Sequence, residues 1–264
     1  MSRIMNFAAQ SESLIIQHAE DSVLSKGGLI NEGEISTRLG LKGISFLAEK
    51  IIVERDLSFL EEYICRYHIS QISSEKTVAV IKKAKEEGKI FSTGVSINNL
   101  SLNENDIGDF KTFLKLSPPL RTESDRQALV ESINDGTIDV IVSDHKPEDE
   151  ESKRLTFAQA ATGASGVETL LPLALELFHN KSIKLKKLIS TITSNPAKIL
   201  DINKGSLDKG NDADLCIFDI NKPWIVDKKN IKSKSKNTPI ENRKLQGQVL
   251  RTFVKGELVY QANS

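Results

Sequence analysis

The sequence is poor in histidine, cysteine and aromatic side chains, and it carries no excess of charge. Its 264 residues include four histidines, two cysteines, three tyrosines and one tryptophan. Cys65 and Cys216 stand far apart, each inside an apolar run, which argues against a disulfide framework and a cysteine-based zinc site and points to a reducing compartment. Lys plus Arg and Asp plus Glu balance at 36 each, so no global field draws the chain toward nucleic acid or an anionic membrane. The one basic run, KKNIKSKSK at 228–236, has no interleaved aromatics and reads as a solvated loop. No stretch approaches the ~20 apolar residues of a membrane-spanning helix. The N-terminal MSRIMNFAAQ lacks an apolar h-region and a small-residue cleavage site. A cytoplasmic protein is expected, and with hydrophobic residues at 39% it can bury a substantial core.

What is present is an alternation of two periodicities. Residues 13–21 (SLIIQHAED), 65–73 (CRYHISQIS), 90–97 (IFSTGVSI) and 137–145 (TIDVIVSDH) are short apolar runs leading into polar residues, as in buried parallel strands that end in functional loops. Between them lie segments with helical spacing: 41–64, 73–89 with Ser74 as N-cap and Gly88 as stop, and 123–135 closed by Gly136. Residues 166–200 are again helical. Strand and helix in alternation predict an α/β fold built on a parallel sheet or barrel. From Gly205 onward, DADLCIFDI, KPWIVD and GQVLRTFVKGELVY are β-rich runs split by Gly, Asn and Lys. This divides the chain into 1–204 and a small β unit, 205–264.

Chemistry in such folds gathers at the C-terminal ends of the strands. The polar residues there are His18 after the first run and Asp144 and His145 after the fourth. Each has a plain structural alternative: a lone histidine is commonly a hydrogen-bonded residue, and aspartate is favoured at caps and in loops. Gly163 and Gly166 mark a tight turn. Arg121, following Pro118 and Pro119, could clamp a carboxylate bidentately or pair at the surface.

Taken in order, HAED, NEG, LGL, HISQIS, LSPPLR, DGTID, SDH, GVET, NPAKIL, KGNDADL and KNTP resemble the class I dihydroorotases of the amidohydrolase superfamily, from about residue 3 to the C-terminus. An ordered string of short motifs is far more specific than any one of them. The resemblance implies a zinc-bearing (β/α)₈ barrel with a small β-sandwich, and an enzyme of pyrimidine biosynthesis in which a zinc-bound water opens the cyclic amide of dihydroorotate. It also implies that His18 and Asp144 are metal ligands, Asp144 the proton shuttle, and Arg121 and His145 substrate contacts.

The same resemblance exposes departures. The family's His-x-His pair has no counterpart here, Gln71 stands where a histidine ligand is expected, and Asn98 and Asn99 fall where the family carries paired histidines. Ser117 replaces an asparagine near the substrate, Lys146 a small residue, and Glu148 a histidine. The expectation is an N-terminally truncated relative with about five of the eight barrel strands. Its vestigial metal site would lack zinc, and its open edges would be covered by another chain. Such a protein would serve as a non-catalytic subunit or scaffold, for example of aspartate transcarbamoylase, or pair with an N-terminal half encoded separately. The alternative is an active zinc-dependent dihydroorotase completed by a missing N-terminal segment.

Overall fold

The computed structural model describes residues 1–262. In chain order the first half runs α1 (Ser2–Ser11), β1 (Leu14–Gln17), β2 (Ile30–Asn31), α2 (Glu34–Leu39), β3 (Gly43–Ile44), α3 (Leu47–Glu62), β4 (Arg66–Ile72), α4 (Glu75–Glu86), β5 (Ser92–Ser96) and α5 (Ile97–Ser101). The second half runs α6 (Glu123–Asp135), β6 (Val140–Val142), α7 (Glu150–Arg154), α8 (Leu170–His179), α9 (Leu185–Ile192), α10 (Ser194–Leu200), β7 (Leu215–Ile225), β8 (Lys244–Val254) and β9 (Glu257–Gln261).

The helix starts follow from their caps. Ser74 Oγ accepts the Lys76 N–H at 3.1 Å to open α4, and Thr122 and Asp125 exchange hydrogen bonds in a capping box that opens α6. Gly136 then closes α6 in the left-handed conformation, φ 88°. The helices pack Ile52, Val53 and Leu57 of α3, Val78 and Ile81 of α4, and Leu129 and Ile133 of α6 into one core with Ile69, Ile72, Val95 and Ile141 of the strands.

Four strands form a parallel sheet in the order β1-β4-β5-β6, with Ile16 opposite His68, His68 opposite Ser92 and Gly94 opposite Val140. A further parallel bridge joins His145 to Ala164 beyond β6. About five strands were expected, and four strands with this one-residue bridge are what the chain builds. Among the described residues no strand pairs with the outer edge of β1, where Ile16 is 55% exposed. No helix among them is long and apolar enough to cross a membrane.

Several local expectations change. The segment 41–64 becomes helical only at Leu47, because Gly43 and Ile44 pair with Ile30 and Asn31 in a two-stranded parallel ladder. The run 166–200 breaks into three helices, with Thr193 at the junction of the last two. DADLCIFDI and KPWIVD merge into the single strand β7, which crosses Asn221 and Lys222 by a register shift against β8. β8 and β9 form a hairpin whose turn residues Lys255 and Gly256 both have positive φ, matching the twist of the strands.

The basic run is more than a solvated loop. Its lysines are exposed, but its backbone and Asn237 strap the ends of the parallel sheet. The Lys232 and Ser233 N–H groups donate to Glu168, Ser235 Oγ donates to the Glu148 carbonyl, and Asn237 Nδ2 donates to the Gly163 carbonyl.

Candidate functional site

The C-terminal ends of the parallel strands converge on one polar network. β6 delivers Asp144 in the left-handed conformation, φ 47°, which aspartate tolerates better than most residues. Its buried carboxylate accepts a hydrogen bond at 2.9 Å from Nε2 of Gln71, the penultimate residue of β4. An ionised carboxylate offers only lone pairs, so the amide must present its N–H₂ to it. Lys146 Nζ lies 3.5 Å from the same Oδ1 and donates to the Ser117 carbonyl at 3.0 Å. Ser117 Oγ is 3.3 Å from His18 Nε2, and Glu20 Oε2 is 3.6 Å from that nitrogen. The His18 imidazole, with help from Ser25 and Ser117, holds the Glu20 carboxyl down at about 2 against partial burial. The chain of contacts therefore runs from His18 through Ser117 and Lys146 to Asp144 and Gln71.

Two glycines fix the backbone of this network. A Cβ on Gly163, whose φ is 141°, would lie 2.6 Å from the Lys146 carbonyl oxygen, and one on Gly166 would lie 2.2 Å from that of Ser143. The close approach that glycine permits is to the strand end itself. His145 Nδ1 accepts the Gly166 and Val167 N–H groups at 3.1 and 3.4 Å, which leaves the ring proton on Nε2.

Arg121, which the resemblance implies as a substrate contact, is held by partners within the chain. Its guanidinium is buried, with Nε donating to Ser73 Oγ at 2.8 Å and Nη1 to Asn31 Oδ1 at 2.8 Å and the Ile44 carbonyl at 3.1 Å. Ser73 in turn donates to Glu49 at 2.6 Å and Asn31 to Glu104 at 2.7 Å. These donations are made within the protein and tie β2, β3 and the end of β4 together.

Among the described residues, these side chains do not by themselves assemble a divalent-cation site. One Asp144 oxygen is engaged by an amide donor and faces an ammonium, and a cation's ligand positions need lone pairs, not N–H groups. Among the described residues no three His, Cys, Asp or Glu side chains converge. Asn99 Nδ2 donates to the Pro119 carbonyl at 3.0 Å, whereas Asn98 is fully buried with neither amide atom partnered. Sequence reasoning singled out His18, Gln71 and Asp144, but it missed Glu20; the adjacent acid in HAED was the available signal.

A sequence profile of the amidohydrolase family matches residues 1–259. The chain is 43% identical over 263 residues to a dihydroorotase of Anaplasma phagocytophilum and 42% identical over 261 residues to one of Syntrophus aciditrophicus. Each match covers 99% of this chain, which spans 59% and 61% of the length of those relatives. Among solved structures, an L-hydantoinase (dihydropyrimidinase) from Arthrobacter aurescens superposes with a TM-score of 0.88 at 27% identity, over 98% of this chain and 60% of that one. A dihydropyrimidinase from Brevibacillus agri shares the fold, with a TM-score of 0.86 at 20% identity over 98% of this chain and 59% of its own.

Proposed function

The chain belongs to the amidohydrolase family, and we propose that it is a dihydroorotase-like protein of pyrimidine biosynthesis whose own residues no longer support zinc-assisted hydrolysis, acting as a non-catalytic partner subunit. The observation that carries this reading is the Gln71 amide hydrogen-bonded to Asp144. A metal-activated water needs several lone-pair ligands and one open position, and the proton shuttle must be free to take a proton. Here an amide and an ammonium stand where those demands would be met. The outer edge of β1, unpaired among the described residues and with Ile16 exposed on it, supports contact with another polypeptide. Aspartate transcarbamoylase is the partner that the pathway suggests.

The second reading is a working zinc-dependent dihydroorotase whose remaining ligands come from polypeptide outside these residues. Identity above 40% to proteins named dihydroorotase favours it. The test is ring opening of dihydroorotate by the purified chain, with and without added zinc, together with co-sedimentation with aspartate transcarbamoylase. Absence of turnover with stable co-sedimentation is the expected result. Zinc-dependent turnover by the chain would overturn the non-catalytic reading.

A further inference from the structure

We propose that Lys146 is a built-in cation that takes over the charge role at the end of β6 and excludes a divalent metal from Asp144. The inference deepens the non-catalytic reading and rests on it. Three observations carry it. The Lys146 ammonium sits 3.5 Å from Asp144 Oδ1, with the Asp144 side chain almost wholly buried, so its charge acts in a partly water-excluded place where electrostatic effects are strong. Its position is not free: the Lys146 N–H donates to the Ala164 carbonyl at 2.9 Å, and the Lys146 carbonyl packs so close to Gly163 that no Cβ fits between them. Nζ is held from a second side by the Ser117 carbonyl at 3.0 Å.

An ammonium so placed offsets the carboxylate charge and repels an incoming cation, and the Gln71 amide donates to the same oxygen. Lys146 is thus a positioning residue. It acts on any ligand through Asp144, and its partner on that oxygen is Gln71.

Zinc alone is the probe, measured by equilibrium dialysis and elemental analysis of the full chain. Four proteins are compared: the natural chain, Gln71→His, Gln71→His with Lys146→Ala, and Gln71→His with Lys146→Arg. The first change supplies an imidazole beside Asp144. The expected result is negligible zinc in the natural chain and a gain of about tenfold or more in affinity when Lys146→Ala is added to Gln71→His, the scale on which groups around a metal site tune it. Lys146→Arg should give no gain, because the cation is retained. A merely structural lysine would not separate Ala from Arg in this way. Equal zinc affinity in all three Gln71→His proteins overturns the role of Lys146 while leaving the non-catalytic reading standing. Stoichiometric zinc in the natural chain overturns both. Lys146 is 44% exposed at its side chain, so the alanine variant is expected to fold, and thermal melting checks this directly.

Discussion

Replacing Arg121 separates a structural lock from a ligand clamp. The guanidinium makes three hydrogen bonds inside the protein, to Ser73 Oγ, Asn31 Oδ1 and the Ile44 carbonyl, and two of these partners lead on to the buried carboxylates of Glu49 and Glu104. Arg121→Ala removes the only guanidinium in this network and leaves Glu49, 3% exposed, and Glu104, 7% exposed, without its compensating charge. Hydrogen bonds to charged groups contribute about 1.5–3 kcal/mol each, but the three share one side chain and do not simply add. The loss on breaking a buried ionic network, ~3–5 kcal/mol, is the better guide. In a chain of this size that is a fall in Tm of about 6–15 °C, at roughly 2–3 °C per kcal/mol. Arg121→Lys keeps the charge but loses the planar fork and should fall between the two. The assay is thermal unfolding followed by circular dichroism, with dihydroorotate binding measured on the same samples. If Arg121→Ala melts within about 2 °C of the natural chain yet loses affinity for dihydroorotate, the lock is refuted and the arginine is a substrate clamp.

Four other expectations can be checked together. Asn98→Leu removes two buried amide atoms that have no partner and keeps the branched outline and heavy-atom count of the side chain, so it should leave stability unchanged or raise it by about 1–3 kcal/mol; a clear loss in denaturant unfolding would mean the amide has a partner. Gly166→Ala would press a methyl against the Ser143 carbonyl, 2.2 Å from the ideal Cβ position, and should destabilise by several kcal/mol, of the order of 2–4; melting unchanged from the natural chain would disprove the close approach. Glu20 has a folded pKa held at about 2 against 4.5, so its contribution is present above about 4.5 and lost as pH falls toward 2. Glu20→Gln should therefore lessen acid sensitivity in that window, and parallel acid-unfolding curves for the two proteins would argue otherwise. Burial pushes the Lys153 ammonium down to about 8, so the unfolded chain holds more proton than the folded one between about 8 and 10.5. Stability relative to Lys153→Met should rise with pH across that interval, and a flat difference would contradict the shift.

The fold was legible in the sequence where its signals are local. Ser74 as N-cap, Gly136 as a left-handed stop and the apolar runs that became β1, β4, β5 and β6 all act within a few residues of themselves. The break at Thr193 and the pairing of β2 with β3 depend on what those segments pack against, and composition does not carry that information. The site shows the same division. His18 and Asp144 could be picked out as strand-end polar residues, and Gln71 only through the resemblance, but the Gln71 and Asp144 side chains meet across 73 positions of sequence, and Arg121 meets Asn31 across 90. No periodicity reports contacts of that span, which is why the internal partners of Arg121 could not be read from the sequence. Lys146 was visible only as a departure from the resembled pattern, and its position beside Asp144 needed the fold.

The amide side chains of the site do not have equal standing. The Gln71 amide N–H₂ donates to Asp144, so that buried carboxylate oxygen and that donor satisfy one another. Asn98 finds no partner, and its buried amide is a cost that the surrounding packing must offset. The backbone at the end of β6 is held by Gly163, Gly166 and the bridge from His145 to Ala164, so it keeps its shape whichever side chains it presents. A frame of that kind lets the chemistry of a site change without loss of the fold. It follows that placing an imidazole at position 71 alone should leave Asp144 still facing Lys146, so both positions must change before that oxygen is open to a metal.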